Sequence, residues 1–327
     1  MALTGMNCLV TGASRGIGRG IALQLAEAGA NVYITARPAN LSDAKDGSLP
    51  TLEKTAAEVR ERGGKCVAIE CDQSKAEEVA ALFERLEKEL EGELELLVNN
   101  AYSAVGVLAE NWGRKFWQCE PLIWDSVNNV GLRNHYLCSV YAARMMVPRG
   151  RGLIVNVSSA GGLKYVLNVA YGVGKAAVDR MAADMGEELR PHGVPVLSLW
   201  PGAVKTEMFG GLMASMGQQE DQKPSNDYSA KEMAEMVAEG ETVEYSGKCV
   251  AALASNPRQA LAKSGRVLIS ADIGDEFGFK DVDGRKPPNL RSLKLALKFY
   301  HWPRLAAWVP DFIKVPCWLL AIATHKF

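Results

Sequence analysis

Apolar and polar residues are arranged in blocks along the chain. Short runs that are nearly continuously apolar fall at Asn7–Val10, Asn31–Thr35, Cys66–Cys71, Leu94–Val98, Leu153–Val157 and Val194–Leu199. Between them, apolar residues recur at helical spacing over Gly16–Glu27, Leu52–Arg62, Ala76–Leu90, Pro121–Met146 and Ala170–Leu189. A seventh run, Arg266–Ser270, follows a helix-like "GKCVAALAS". A strand that is apolar along its whole length has both faces covered, and strands that alternate with helices build parallel sheets. The pattern predicts an α/β fold: a doubly wound parallel sheet of about seven strands with helices on both faces. No linker interrupts the pattern, so residues 1–275 read as one domain and residues 276–327 as a tail of different composition. Pro38–Pro50, rich in Ser, Asp and Gly, reads as a surface insertion.

The turn after the first strand carries candidate chemistry. In "CLVTGASRGIGRGIALQLAEAG", Gly12, Gly16 and Gly18 sit where strand becomes helix. Small residues there let the backbone approach a pyrophosphate, and the helix N-terminus offers N–H donors and a positive dipole end. The spacing is GxxxGxG, not the GxGxxG of the general dinucleotide-binding fingerprint, and the alternative is a glycine-rich turn without a ligand. At the end of the second strand, where an acid would hold the ribose hydroxyls of NAD, the chain has Arg37, and Arg15 lies in the glycine turn. Two guanidinium groups can clamp a 2′-phosphate, which favours NADP(H), with NAD(H) as the alternative. Asp72, at the end of the third strand, reads equally as a partner of the adenine amino group or as a cap of the next helix.

Composition removes other classes. The net charge of −1 argues against binding nucleic acid. Seven scattered cysteines without metal spacing read as reduced thiols, and no metal centre is expected. The segment "MNCLVTG" reads as the first strand rather than a signal peptide, and no apolar run reaches the roughly 18 residues of a membrane span. The expected setting is intracellular, in the cytoplasm or on the cytosolic face of the endoplasmic reticulum.

A second candidate lies in "AYGVGKAA", residues 170–177, which places Tyr171 and Lys175 one helical turn apart with Gly172 and Gly174 between them. A tyrosine, with a pKa of about 10, is a poor base at neutral pH, and a nearby ammonium moves it toward the working range. The two glycines, costly inside a helix, would allow close approach of a cofactor, a substrate or a facing helix. The fifth strand ends at Ser158 and Ser159, which would reach the same sheet edge.

With "TGASRGIG" at 11–18, "NNA" at 99–101, "SS" at 158–159, "YGVGK" at 171–175 and "PGAVKT" at 201–206, the chain resembles the short-chain dehydrogenases/reductases (SDRs) over residues 5–275. The resemblance implies that Tyr171 is the general acid, that Lys175 lowers its pKa and binds the nicotinamide ribose, and that a serine holds the substrate oxygen. Ser159 fits the serine by its position in the strand, with one residue deleted from the loop; Ser158 fits by the count to Tyr171. Cofactor contacts are implied for Gly12, Ser14, Arg15, Gly16, Ile17, Gly18, Arg37, Asp72, Asn99, Tyr171, Lys175, Pro201, Gly202, Val204 and Thr206. The implied reaction is reduction of an apolar aromatic, steroid-like or xenobiotic ketone or aldehyde, or the reverse alcohol oxidation. A homodimer through the fourth and fifth helices is the family expectation.

One departure bears on activity. Where the family has a relay asparagine on the long fourth helix, this chain has Gly131, with Asn128 and Asn129 just before it. Either asparagine could substitute if the helix is distorted, or the relay could run through backbone carbonyls and water; the alternative is a weakened or inactive nucleotide-binding protein at a membrane surface. The Met- and Gly-rich "MFGGLMASMGQQEDQ" suits a mobile lid or a flexible helix. Trp112, Phe116, Trp117 and Trp124 could wall the pocket, pack in the core or form a dimer face. From Arg285 onward, eight Lys or Arg stand against one acid, Asp311, with Trp302, Trp308 and Trp318 among them. Such a tail suits a membrane interface, or packing on the domain, over the pocket or between protomers.

Overall fold

The strands are β1 (Asn7–Thr11), β2 (Asn31–Ala36), β3 (Lys65–Glu70), β4 (Leu96–Asn99), β5 (Leu153–Val157), β6 (Val196–Trp200) and β7 (Val267–Ile269). All pair in parallel, in the order β3-β2-β1-β4-β5-β6-β7. Their ends lie within two residues of the apolar runs in the sequence. β5 shows why: all five of its residues are buried, so both faces had to be apolar. This computed structural model describes residues 2–38, 50–208, 230–299, 302–310 and 312–324. The expected surface insertion, and the lid beyond Met208, lie outside the described residues.

The helices that follow the strands are α1 (Gly16–Glu27), α2 (Leu52–Glu61), α3 (Ala76–Glu89), α4 (Val105–Glu110), α5 (Ile123–Asn128), α6 (Asn134–Met146) and α7 (Val169–Leu189). After β6 come α8 (Ala230–Glu239), α9 (Val243–Ala254) and α10 (Pro257–Ala262), and after β7 comes α11 (Ser270–Phe277). Because side chains alternate along a strand, Val10 and Val98 join Ile21, Leu25 and Val250 in one core layer. Leu9 and Leu97 point the other way and join Val79, Phe83, Leu86, Cys138 and Ala142 in the second. β1 pairs with β2 on one side and β4 on the other, so strand order reverses there and a crevice opens at the carboxyl ends.

The helix expected over Pro121–Met146 is broken. Between α5 and α6 the chain makes a wide π-type turn at Asn129–Arg133, with Val130 and Gly131 outside helical geometry. Gly131 has φ 137°, a conformation that L side chains rarely adopt. Its N–H is taken by Asn134 Oδ1 at 2.7 Å. A β-carbon at 131 would also lie 2.4 Å from the Tyr102 ring.

The basic tail packs on the domain. Asp272 on α11 accepts from Arg291 at 2.8 Å and from Lys314 at 2.9 Å, and Asp275 from Lys286 at 2.8 Å and Lys314 at 2.7 Å. Its helices α12 (Leu293–Phe299), α13 (Pro303–Ala306) and α14 (Cys317–Thr324) are short, and no helix among the described residues is long and apolar enough to cross a membrane. Trp302, Trp308, Phe312 and Trp318 remain exposed.

Candidate active site

A cleft of about 810 Å³ lies at the carboxyl edge of the sheet. Both candidate regions line it: Gly12, Ser14, Arg15, Gly16, Ile17, Arg37 and Asp72 at one end, Tyr171 and Lys175 at the other. At the first end Gly12 has φ 66°, and a β-carbon there would lie 2.6 Å from Ala101 Cα. The backbone therefore turns closely enough to leave the N-terminus of α1 open. The Gly16 N–H donates to the Glu207 carboxylate at 3.0 Å, so this helix end already takes an anionic oxygen. That is the donor arrangement a pyrophosphate requires. Gly18 lies within the turn, where an added β-carbon would meet Gly12 O at 2.4 Å.

Asp72 does not cap the next helix, which starts after Lys75 without a side-chain cap; it closes a turn of its own instead. Its Oδ1 accepts from the Ser74 N–H at 3.0 Å and hydroxyl at 2.8 Å, and the residue also borders the cleft. Asn99 is placed differently from the expectation that set it against the cofactor. It is fully buried behind the cleft, its amide donating to Asn156 at 2.8 Å and Ser139 at 2.9 Å. Its neighbour Asn100 lines the cleft and ties β4 to the glycine turn through Thr11 O at 2.9 Å and Gly12 O at 3.0 Å.

Thr206 lines the cleft, whereas Pro201, Gly202 and Val204, all half-buried, are not among its lining residues. Glu241 lies beside this segment: it pairs with Val204 by a backbone bridge and accepts from Ser246 at 3.0 Å and Ser270 at 2.7 Å. Burial raises the Glu241 carboxyl to about 7, against the pull of hydrogen bonds from Ser270, the Gly202 N–H and Ser246. Nothing in the charge pattern of "AEGETVEY" marked this acid as buried.

At the second end, the Asn168 side chain accepts from the Tyr171 N–H at 2.8 Å and starts α7. The Tyr171 ring lies against Gly161, where an added β-carbon would meet Cε1 at 2.5 Å. The two serines divide. Ser159, whose Oγ accepts from the Gly161 N–H at 3.1 Å, stands close enough to Tyr171 to pull its pKa down. Ser158 borders the cleft, but its hydroxyl donates to the Lys175 carbonyl at 3.2 Å and meets Asp179, which also holds Ser198 and Trp200.

Lys175 is buried; its Nζ donates to Val157 O at 3.2 Å and sits 4.8 Å above the Tyr102 ring centroid. Burial lowers it to about 8, partly opposed by Asp179. Tyr171 is shifted upward, chiefly by burial, with the Ser159 hydrogen bond pulling down and Asp179 pushing up. The expected downward shift is absent here because desolvation of the phenolate outweighs any charge effect, and the Lys175 ammonium is turned to Val157 and Tyr102.

The glycines of α7 face protein. A β-carbon at Gly174 would lie 2.1 Å from Asn128 Oδ1, and one at Gly172 would lie 3.3 Å from Gly161 O. Asn128 is buried and donates to Ala170 O at 3.3 Å, so the bend in the fourth helix turns it toward α7. Asn129 is on the outside beside Arg133. Of the aromatic residues offered as pocket walls, Trp112 is buried in packing, and Phe116, Trp117 and Trp124 are exposed away from the cleft. The wall beside Tyr171 is Tyr102, Val105, Leu108, Val130 and Leu167. No metal-binding cluster occurs among the described residues.

Comparison with known proteins agrees with this geometry. The family profile described as short chain dehydrogenase matches residues 6–217. The chain is 49% identical to mouse dehydrogenase/reductase SDR family member 1, over 99% of each chain. It is 28% identical to the Arabidopsis thaliana chloroplastic NADPH-dependent aldehyde reductase 2, over 76% of this chain and 96% of that one. A crystal structure of a short-chain type dehydrogenase/reductase from Mycobacterium marinum superposes with a TM-score of 0.63 at 26% identity, covering 82% of this chain and 94% of the other.

Proposed function

Because the chain belongs to the short-chain dehydrogenase/reductase family, we propose that it reduces the carbonyl of small apolar ketones and aldehydes with NADPH, or oxidises the matching alcohols. The observation that carries this reading is one cleft lined at one end by Gly12, Ser14, Arg15, Gly16, Ile17 and Arg37, and at the other by Tyr171 and Lys175. The N-terminus of α1 takes the pyrophosphate in place of Glu207, and Arg15 and Arg37 take the 2′-phosphate. Lys175 holds the nicotinamide ribose. When bound, the nicotinamide supplies the hydride that adds to the carbonyl carbon.

The chain's own part is to place and protonate the oxygen. Ser159 donates to the carbonyl oxygen, and Tyr171 gives its proton to the developing alkoxide. The raised Tyr171 keeps that proton available at neutral pH. Asn128, set against α7, stands in for the relay asparagine absent at Gly131. The apolar wall of Val105, Leu108, Val130 and Leu167 favours an aromatic, steroid-like or xenobiotic substrate. The same reading puts the exposed Trp302, Trp308 and Trp318 and the basic tail against an anionic membrane surface. Co-flotation with anionic liposomes that is lost on deleting residues 293–327 supports that contact; equal, negligible flotation of both forms ends it.

The test of the activity is a panel of ketones, aldehydes and quinones offered with NADPH and with NADH. Turnover of apolar carbonyls with NADPH preferred is the expected result. Absence of turnover across the panel, or a preference for NADH, overturns the reading.

A further inference from the structure

We infer that Tyr102 is a positioning residue of this site: its ring face is a seat for the Lys175 ammonium. The inference rests on the reading of Tyr171 and Lys175 given above, and adds a residue that stands outside the motifs.

Tyr102 follows β4 by three residues and enters the cleft between β4 and α7. Its ring centroid lies 4.8 Å from Lys175 Nζ and 6.3 Å from the Tyr171 ring, which it meets edge-on at 73°. One ring thus touches both reacting-end side chains. An ammonium carries three donors, and among the described residues the Lys175 side chain donates to one carbonyl, Val157 O. The negative face of an aromatic ring offers the remaining charge a partner without water.

The fold makes room for this ring. At Gly131 an added β-carbon would strike Tyr102 Cδ2 at 2.4 Å and Cε2 at 2.8 Å. The wide turn in the fourth helix and the ring are therefore one packing unit. The Tyr102 hydroxyl is buried without a hydrogen-bond partner among the described residues. Such a group costs stability, so the ring, rather than the hydroxyl, accounts for an aromatic residue here.

Among the described residues, the titratable groups facing Lys175 are few. Tyr171 and Asp179 share its helix, Tyr102 comes from the segment after β4, and His135 comes from α6. Burial holds His135 at about 3, so it stays neutral through the working range.

The experiment replaces Tyr102 in the full-length protein with phenylalanine, then with 3,5-difluoro- and 3,4,5-trifluorophenylalanine, and finally with leucine. Fluorination drains the ring face of negative charge while nearly keeping its shape, so folding and packing stay comparable. Two quantities are read: the alkaline limb of kcat/KM for ketone reduction, and the titration of Lys175 by carbon-13 lysine NMR.

The expected result is that both move to lower pH stepwise with fluorination. The total is about half to one and a half pH units, a cation–π interaction expressed as a pKa shift. Tyr102→Leu should fall at the low end, and Tyr102→Phe should restore what leucine loses. A flat series, or a phenylalanine variant that behaves like leucine, overturns the inference. If Tyr171→Phe is inactive while the series is flat, only the role of Tyr102 falls. If Tyr171→Phe turns over normally, the proposed function fails, and the NMR titration still decides the Lys175–Tyr102 contact.

Discussion

Gly174→Ala replaces a helix-interior glycine and on propensity alone should stabilise α7 by roughly 1 kcal/mol. The structure reverses that sign. The new β-carbon would lie 2.1 Å from Asn128 Oδ1, where ordinary contact begins at 3.4 Å, so the amide must withdraw by more than about 1 Å. Withdrawal gives up its 3.3 Å hydrogen bond to Ala170 O in a buried setting. Overpacking costs about 1–3 kcal/mol and a stranded buried amide costs about 1–3 kcal/mol more. Net destabilisation is therefore on the order of 1–5 kcal/mol. Urea unfolding measures it, with Gly172→Ala as the milder comparison because its β-carbon meets only Gly161 O, at 3.3 Å. Adding Asn128→Ala to Gly174→Ala removes the obstructing amide and should recover at least about 1 kcal/mol relative to additivity. A Gly174→Ala protein as stable as the parent, or strict additivity in the double variant, would refute the reasoning.

Three other outcomes follow from the cleft and its supports. Arg37→Ala, alone and with Arg15→Ala, should weaken NADPH binding by about 10- to 150-fold per arginine while changing NADH binding little; tryptophan-fluorescence titration reads this. Glu207→Ala, which removes a carboxylate from the N-terminus of α1, should tighten NADPH binding by about threefold to tenfold in the same titration. Glu241 has a folded-state pKa raised from 4.5 to about 7, so its contribution is present below pH 4.5 and lost as pH rises through 7. Glu241→Gln should therefore gain on the parent by about 3 kcal/mol between pH 4 and pH 8 in denaturant unfolding, whereas parallel pH profiles would contradict the assignment.

The sheet was legible because burial on both faces demands uninterrupted apolar strands, and β5 is buried at every position. The glycine turn and the Tyr171–Lys175 pair were legible because each is local: a strand-to-helix turn in one case, one helical turn in the other. What escaped was set by contacts distant in sequence. Gly131 bends the fourth helix because of a ring at position 102, and no periodicity along Pro121–Met146 records that. Asn99 and Asn100 are adjacent and chemically identical, and only the pleat of β4 decides which faces the cleft. Ser158 and Ser159, just beyond β5, also divide: Ser158 borders the cleft but spends its hydroxyl on the Lys175 carbonyl, whereas Ser159 stands by Tyr171. Tyr102 had one available cue: an aromatic residue immediately after "NNA", where the fourth strand ends. Glu241 had none, since an acid among mixed residues reads as solvated until Ser246 and Ser270 are seen around it.

The central claim is that the Tyr171 hydroxyl delivers the proton inside a cofactor-filled cleft. Single-turnover oxidation of NADPH by Tyr171→Phe, on a substrate accepted by the parent, tests it most directly. The account predicts NADPH affinity within about threefold of the parent and a rate lower by about 10²- to 10⁴-fold, the range for losing a general acid. A phenylalanine enzyme that consumes NADPH and substrate at the parental rate would contradict it.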